Sequence, residues 1–120
     1  MLCPGFVQVS KQITVGSTLE PLSTYKGTQY YAVVLVFRDP KNGNWWMSFG
    51  DGPGYWPSEL FKSLATKAGK VAWGGLVFSP TNEPSPPMGN GHRPFEEGDT
   101  DLNACHFKKL KLVNDKIQAI

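Results

Sequence analysis

Tyr30-Tyr31-Ala32-Val33-Val34-Leu35-Val36-Phe37, then Arg38-Asp39-Pro40-Lys41-Asn42-Gly43-Asn44, then Trp45-Trp46-Met47-Ser48-Phe49 is the stretch on which the fold turns. The first run is aromatic and β-branched and is apolar on both faces. That pattern predicts a strand lying centrally in a sheet, with cover on each side. Pro40 presets φ and Asn42-Gly43 tolerates positive φ, so the middle segment reads as a hairpin turn. Asn44 to Phe49 returns as the partner strand.

Working outward, the period of two recurs. Phe6 to Ser10 and Ile13 to Val15 are short β-type runs, the second stopped by Gly16. Gly50 to Gly54 (GDGPG) breaks the sheet. Pro57 suits a first helical turn, and Leu60, Phe61, Leu64, Ala65 and Ala68 come after it at helical spacing before Gly69. One short amphipathic helix is therefore predicted near 57–68. Leu76-Val77-Phe78, after the Gly74-Gly75 pair, and Cys105 to Val113 read as further strands. Ser79 to Asp101, rich in Pro and Gly, reads as one long loop. The expected class is all-β: an antiparallel sandwich, or half of one, with that single helix.

Composition narrows the function. The chain has 120 residues, enough for at most one domain, with 40% hydrophobic residues including four Trp and seven Phe. A formal charge of +2 is too small for a nucleic-acid footprint, so no nucleic-acid partner is expected. The longest apolar run, Tyr30 to Phe37, is far short of the ~20 residues of a membrane helix. Met1 to Gly5 has neither a basic nor an apolar leader region, so no signal peptide is expected in the chain as written. Cys3 and Cys105 read as two free thiols, with one bridge between them as the alternative.

Motifs for common chemistries are missing. No GxSxG frames a serine, and the two Cys and two His lack zinc-finger spacing; no metal or cofactor is expected. Lys108, Lys109 and Lys111 alternate partly with Leu110 and Leu112, which reads as an edge strand guarded by charge. Glu96-Glu97 reads as solvated loop, since adjacent carboxylates rarely converge on one atom. The aromatics carry more. Trp45 and Trp46 must place one ring on each face of their strand, and Tyr55, Trp56 and Trp73 add rings near chain breaks. Such rings bind proline rings, sugar faces and apolar side chains. Trp45, Trp46, Tyr55, Trp56, Trp73 and His92 are thus the candidate groove residues.

Cys3-Pro4-Gly5-Phe6-Val7-Gln8, Asp39-Pro40-Lys41-x-Gly43-x-Trp45-Trp46, Gly54-Tyr55-Trp56-Pro57, Trp73-Gly74-Gly75 and Met88-Gly89-x-Gly91-His92 occur in that order. Together with Glu96-Glu97-Gly98, this set resembles the C-terminal part of the neprosin family of secreted plant glutamic peptidases. The resemblance implies a partial domain over 1–113, with 114–120 as a tail that extends a strand. It also implies an antiparallel β-sandwich, an extracellular location, and cleavage of peptides or Pro-rich proteins after proline at acidic pH. Two glutamates do the chemistry in that family. One activates water while its protonated partner donates a proton, a division of labour that suits low pH.

The chain departs from the family pattern at both acids. The family's first glutamate falls upstream of the segment beginning at Cys3, and the second position, directly after Trp-Gly-Gly, holds Leu76. Leucine cannot transfer a proton, and loss of a general acid or base costs ~10²–10⁴-fold per group. Glu83, beyond Pro80, is too far along to stand in. The resemblance therefore implies an inactive glutamic peptidase; the alternative is a non-catalytic aromatic-groove module for Pro-rich or cell-wall ligands. The family's partner cysteine for Cys3 has no counterpart either, so Met1 reads as an internal methionine of a longer domain. Half a sandwich leaves sheet surface uncovered, and self-association through it is expected.

Overall fold

The computed structural model describes residues 4–50, 52–96 and 104–120. The chain groups into two compact units. Met1–Glu20, Tyr31–Val71 and Lys111–Ile120 form the first, and Pro21–Tyr30 with Ala72–Leu110 form the second.

The first unit holds a four-stranded antiparallel sheet in the order β1-β4-β3-β2, with β1 at Val7–Gln8, β2 at Val34–Arg38, β3 at Trp45–Phe49 and β4 at Gly54–Trp56. The hairpin between β2 and β3 forms where the sequence predicts, in the register Val34↔Phe49 to Arg38↔Trp45, but β2 begins only at Val34 and takes in Arg38, so Tyr30 to Val33 lie outside the ladder. Asp39 N–H donates to the Asn44 carbonyl at 2.8 Å, and Gly43 N–H to the Asp39 carbonyl at 2.8 Å. The Asp39 and Asn42 side chains accept from the amides of Lys41 and Asn44. Gly43 sits at φ +78°, where an added Cβ would stand 2.9 Å from Arg38 Nη2, so glycine meets both the dihedral and the space. Gly54 is fixed by close approach instead. A Cβ there would run into the Val7 carbonyl oxygen of β1 and stand 2.9 Å from the Phe6 ring.

Three expectations need correction. β2 lies at the edge of the sheet and not at its centre, with β3 its only partner strand among the described residues. The helix expected near 57–68 is not formed. A single 3₁₀ turn at Ser58–Leu60 ends at Phe61, whose φ of −117° and ψ of 131° are extended. The competing interaction is visible: Leu64 gives its carbonyl to the Trp45 indole N–H at 2.9 Å, where a helix would have given it to Ala68. A helix of about twelve residues containing Ser58, Ser63 and Thr66 is marginal alone and yields to that contact. Ile13-Thr14-Val15 and Leu76-Val77-Phe78 are also not strands, and within Cys105 to Val113 only Val113 forms a bridge. β propensity without a neighbouring strand does not make a ladder.

The last residues fold back. Val113 bridges Ala119, Leu112 and Ile120 exchange backbone hydrogen bonds at 3.1 and 2.8 Å, and Asn114 Oδ1 accepts from the amides of Lys116 and Gln118. In the second unit, Ser23 Oγ donates to the Tyr30 carbonyl and accepts from the Tyr30 amide. Of the predicted loop Ser79 to Asp101, residues 79–95 are turns, bends and irregular chain, and 97–101 lie outside the described residues. Among the described residues no hydrophobic side chain of the core type is buried; Pro53 is the largest that is fully enclosed.

Candidate functional site

Antiparallel register fixes which side chains share a face, because directly paired residues point the same way. Val36, Arg38, Trp45, Met47 and Trp56 therefore stand on one face of the sheet, and Leu35, Phe37, Trp46 and Tyr55 on the other.

The first face carries a groove of about 510 Å³ lined by Pro4, Val36, Trp45, Trp56, Leu60, Phe61 and Leu64. Trp45 and Trp56 are directly opposed on β3 and β4. Phe6 packs edge-on against Trp56, with ring centroids 4.7 Å apart at 63°, so the indole is held from behind. The Trp45 hydrogen bond to Leu64 anchors the far wall, which 61–64 supplies. Asn44 Oδ1 accepts the Ser58 amide at 3.0 Å and ties the hairpin turn to the 3₁₀ turn beneath that wall. Every lining side chain is apolar or aromatic, and none titrates at ordinary pH. Beside the groove residues on this face, the buried Nε of Arg38 has no hydrogen-bond partner among the described residues.

On the opposite face Trp46 and Tyr55 lie 4.8 Å apart at 39°. The pair Trp45-Trp46 is thus divided between the two faces, and only Trp45 and Trp56 of the six candidates line the groove. Trp73 and His92 belong to the second unit, where Trp73 is exposed. There His92 stacks on Tyr25 with centroids 3.9 Å apart at 13°, and His92 Nδ1 lies 2.9 Å from Glu96 Oε2. Lys26 Nζ stands 5.4 Å from the Tyr25 ring centroid. Leu76 is 95% exposed. Cys105 is free and exposed, whereas Cys3 and Glu97 lie outside the described residues.

Sequence reasoning does not assign Pro4, Leu60, Phe61 and Leu64 to the site. Their signal is present in another form. Leu60, Phe61 and Leu64 are the large apolar residues of the 57–68 segment, and all three line the groove without the helix that would have put them on one side. Among the described residues no three His, Cys, Asp or Glu side chains gather as a metal would require, and no helix is long and apolar enough to cross a membrane.

A β-rich chain with an aromatic groove on an antiparallel sheet is the class this geometry defines. The family model described as Neprosin matches residues 1–120, and the chain belongs to the neprosin family.

Proposed function

We propose that the chain binds extended, proline-rich peptides in the Trp45–Trp56 groove and does not hydrolyse them, acting outside the cell as the family resemblance implies. The four-stranded sheet is then one layer of an antiparallel sandwich. The observation that carries the reading is the groove itself, whose opposed indoles are held by Phe6 and by Leu64. Flat aromatic walls accept proline rings, and a polyproline segment is already extended, so little conformational entropy is lost on docking. Sugar rings also stack on indoles, but they need hydrogen-bonding partners that this apolar lining lacks; the same groove therefore favours peptide over cell-wall glycan.

Inactivity rests on the position of Leu76. An aliphatic, 95% exposed side chain stands where the family resemblance places an acid, and the groove lining contains no carboxylate to replace it. The test titrates the chain with a proline-rich peptide and with a β-linked oligosaccharide, monitoring tryptophan fluorescence. Mass spectrometry of the same peptide at pH ~3–5 scores cleavage, near the range where one of two acids stays protonated. Peptide binding is expected to weaken about tenfold or more in Trp56→Ala, as for a buried aromatic anchor. A response to glycan alone, or affinity untouched by Trp56→Ala, overturns the binding reading. Cleavage after proline overturns inactivity, and its loss in Glu83→Gln would assign the activity to that carboxylate.

A further inference from the structure

We propose that two copies of this chain associate by antiparallel pairing of their β2 strands, in a register centred on Val36. The backbone parity of the hairpin leads to this. Asp39 donates to Asn44, so 39 and 44 form a hydrogen-bonded pair, and alternation makes 37–46 and 35–48 hydrogen-bonded pairs as well. The N–H and C=O groups of Val34, Val36 and Arg38 therefore point away from β3, along the sheet edge. β2 is the terminal strand there among the described residues.

That edge carries one charge, Arg38 at its end, and is otherwise unguarded. From Tyr30 to Phe37 eight residues pass without a charge, a proline or a glycine, and β2 runs as a regular five-residue ladder against β3. Val34 and Val36 are 57% and 49% exposed on the groove face. Centring a second β2 on Val36 sets Val36 against Val36 and Val34 against Arg38 of the other copy. All three residues present outward backbone groups, so the pairing is in phase and forms about six backbone hydrogen bonds. It also keeps the two Arg38 side chains apart, since each meets a valine. A two-fold arrangement of this kind is closed: β2 pairs with β2 and is used up in doing so, which yields dimers and not filaments. Five paired residues cover less than the ~1,200 Å² of a standard stable interface, so the dimer is weak and concentration-dependent.

The register makes a sign-specific prediction. Val34→Lys places a cation opposite Arg38 of the second copy, and Val34→Glu places an anion there. Sedimentation velocity of the full chain over concentrations on the order of 1–100 μM reads the association constant. Val34→Lys should weaken association about tenfold at low salt and Val34→Glu should strengthen it, with circular dichroism confirming an unchanged strand signal. Val34→Lys combined with Arg38→Glu should restore association. Equal shifts from both charges, or a chain that stays monomeric throughout, overturn the proposal. Neither outcome depends on peptide binding, so this pairing and the groove reading fail separately.

Discussion

Trp45 is the residue on which the groove's far wall depends, and replacing it with phenylalanine isolates one interaction. The ring remains on the same face of β3, while the indole N–H that donates to the Leu64 carbonyl at 2.9 Å is lost. A part-buried neutral hydrogen bond contributes about 0.5–1.5 kcal/mol, and 1 kcal/mol is about fivefold in a local equilibrium. The segment 61–68 has no helical ladder of its own to fall back on. Its opening should therefore rise about fivefold in Trp45→Phe while the β2–β3 hairpin is unaffected. Hydrogen exchange read by mass spectrometry on the peptide covering 60–70 measures this directly. Trp46→Phe is the control, because Trp46 lies on the opposite face against Tyr55. Equal acceleration in both variants would refute the assignment of that hydrogen bond as the anchor, as would unchanged exchange in Trp45→Phe.

Gly54→Ala should release β1 from the sheet, because the new methyl group meets the Val7 carbonyl; a cost of about 1–3 kcal/mol is expected, as for overpacking. The Val9 amide, which donates to the Pro53 carbonyl at 2.8 Å, should lose its protection from exchange, and unchanged protection would contradict the close approach. Leu76→Glu should leave the melting midpoint within the equivalent of about 0.5 kcal/mol, since the side chain is almost wholly exposed. The same variant should gain no cleavage after proline, because one acid does not supply both roles; activity in it would sink the two-acid argument. Glu96→Gln should cost less than about 1 kcal/mol, because His92 and Glu96 are 38% and 42% exposed and solvent screens the pair. Preserved ring-current shifts of His92 would show that its stacking on Tyr25 outlasts the contact with Glu96.

The hairpin is legible in the sequence because its instructions are local. A strand signal, a Pro-Lys-Asn-Gly turn and a second strand signal lie within twenty residues, and the Asp39 and Asn42 side chains close the turn from inside it. The division of Trp45 and Trp46 between faces comes from the pleat alone. The 57–68 segment is not legible in the same way, because periodicity reports which side chains share a side and not which carbonyl meets which donor. Leu64 finds a donor nineteen residues earlier, on a strand, and no window of local sequence carries that information. The rank of β2 in the sheet is hidden for a related reason: apolarity on both faces states that cover is needed and leaves open what provides it. Pro4 enters the groove from the far end of the chain, a contact that only the β1–β4 pairing could bring about.

Peptide binding and strand pairing meet at Val36, and the geometry says why they need not compete. Its side chain stands perpendicular to the sheet and lines the groove, whereas its N–H and C=O lie in the plane of the sheet and face the open edge. One residue thus offers apolar surface to a peptide and backbone groups to a second copy, through different atoms in different directions. The absence of buried core hydrophobics among the described residues makes both uses energetically reasonable. Apolar area that folding leaves in water retains its full transfer free energy of roughly 25 cal/mol per Å², to be released when a partner covers it. In a chain with Val34, Val36 and the groove walls still open to solvent, binding events supply stabilisation that an enclosed core supplies elsewhere.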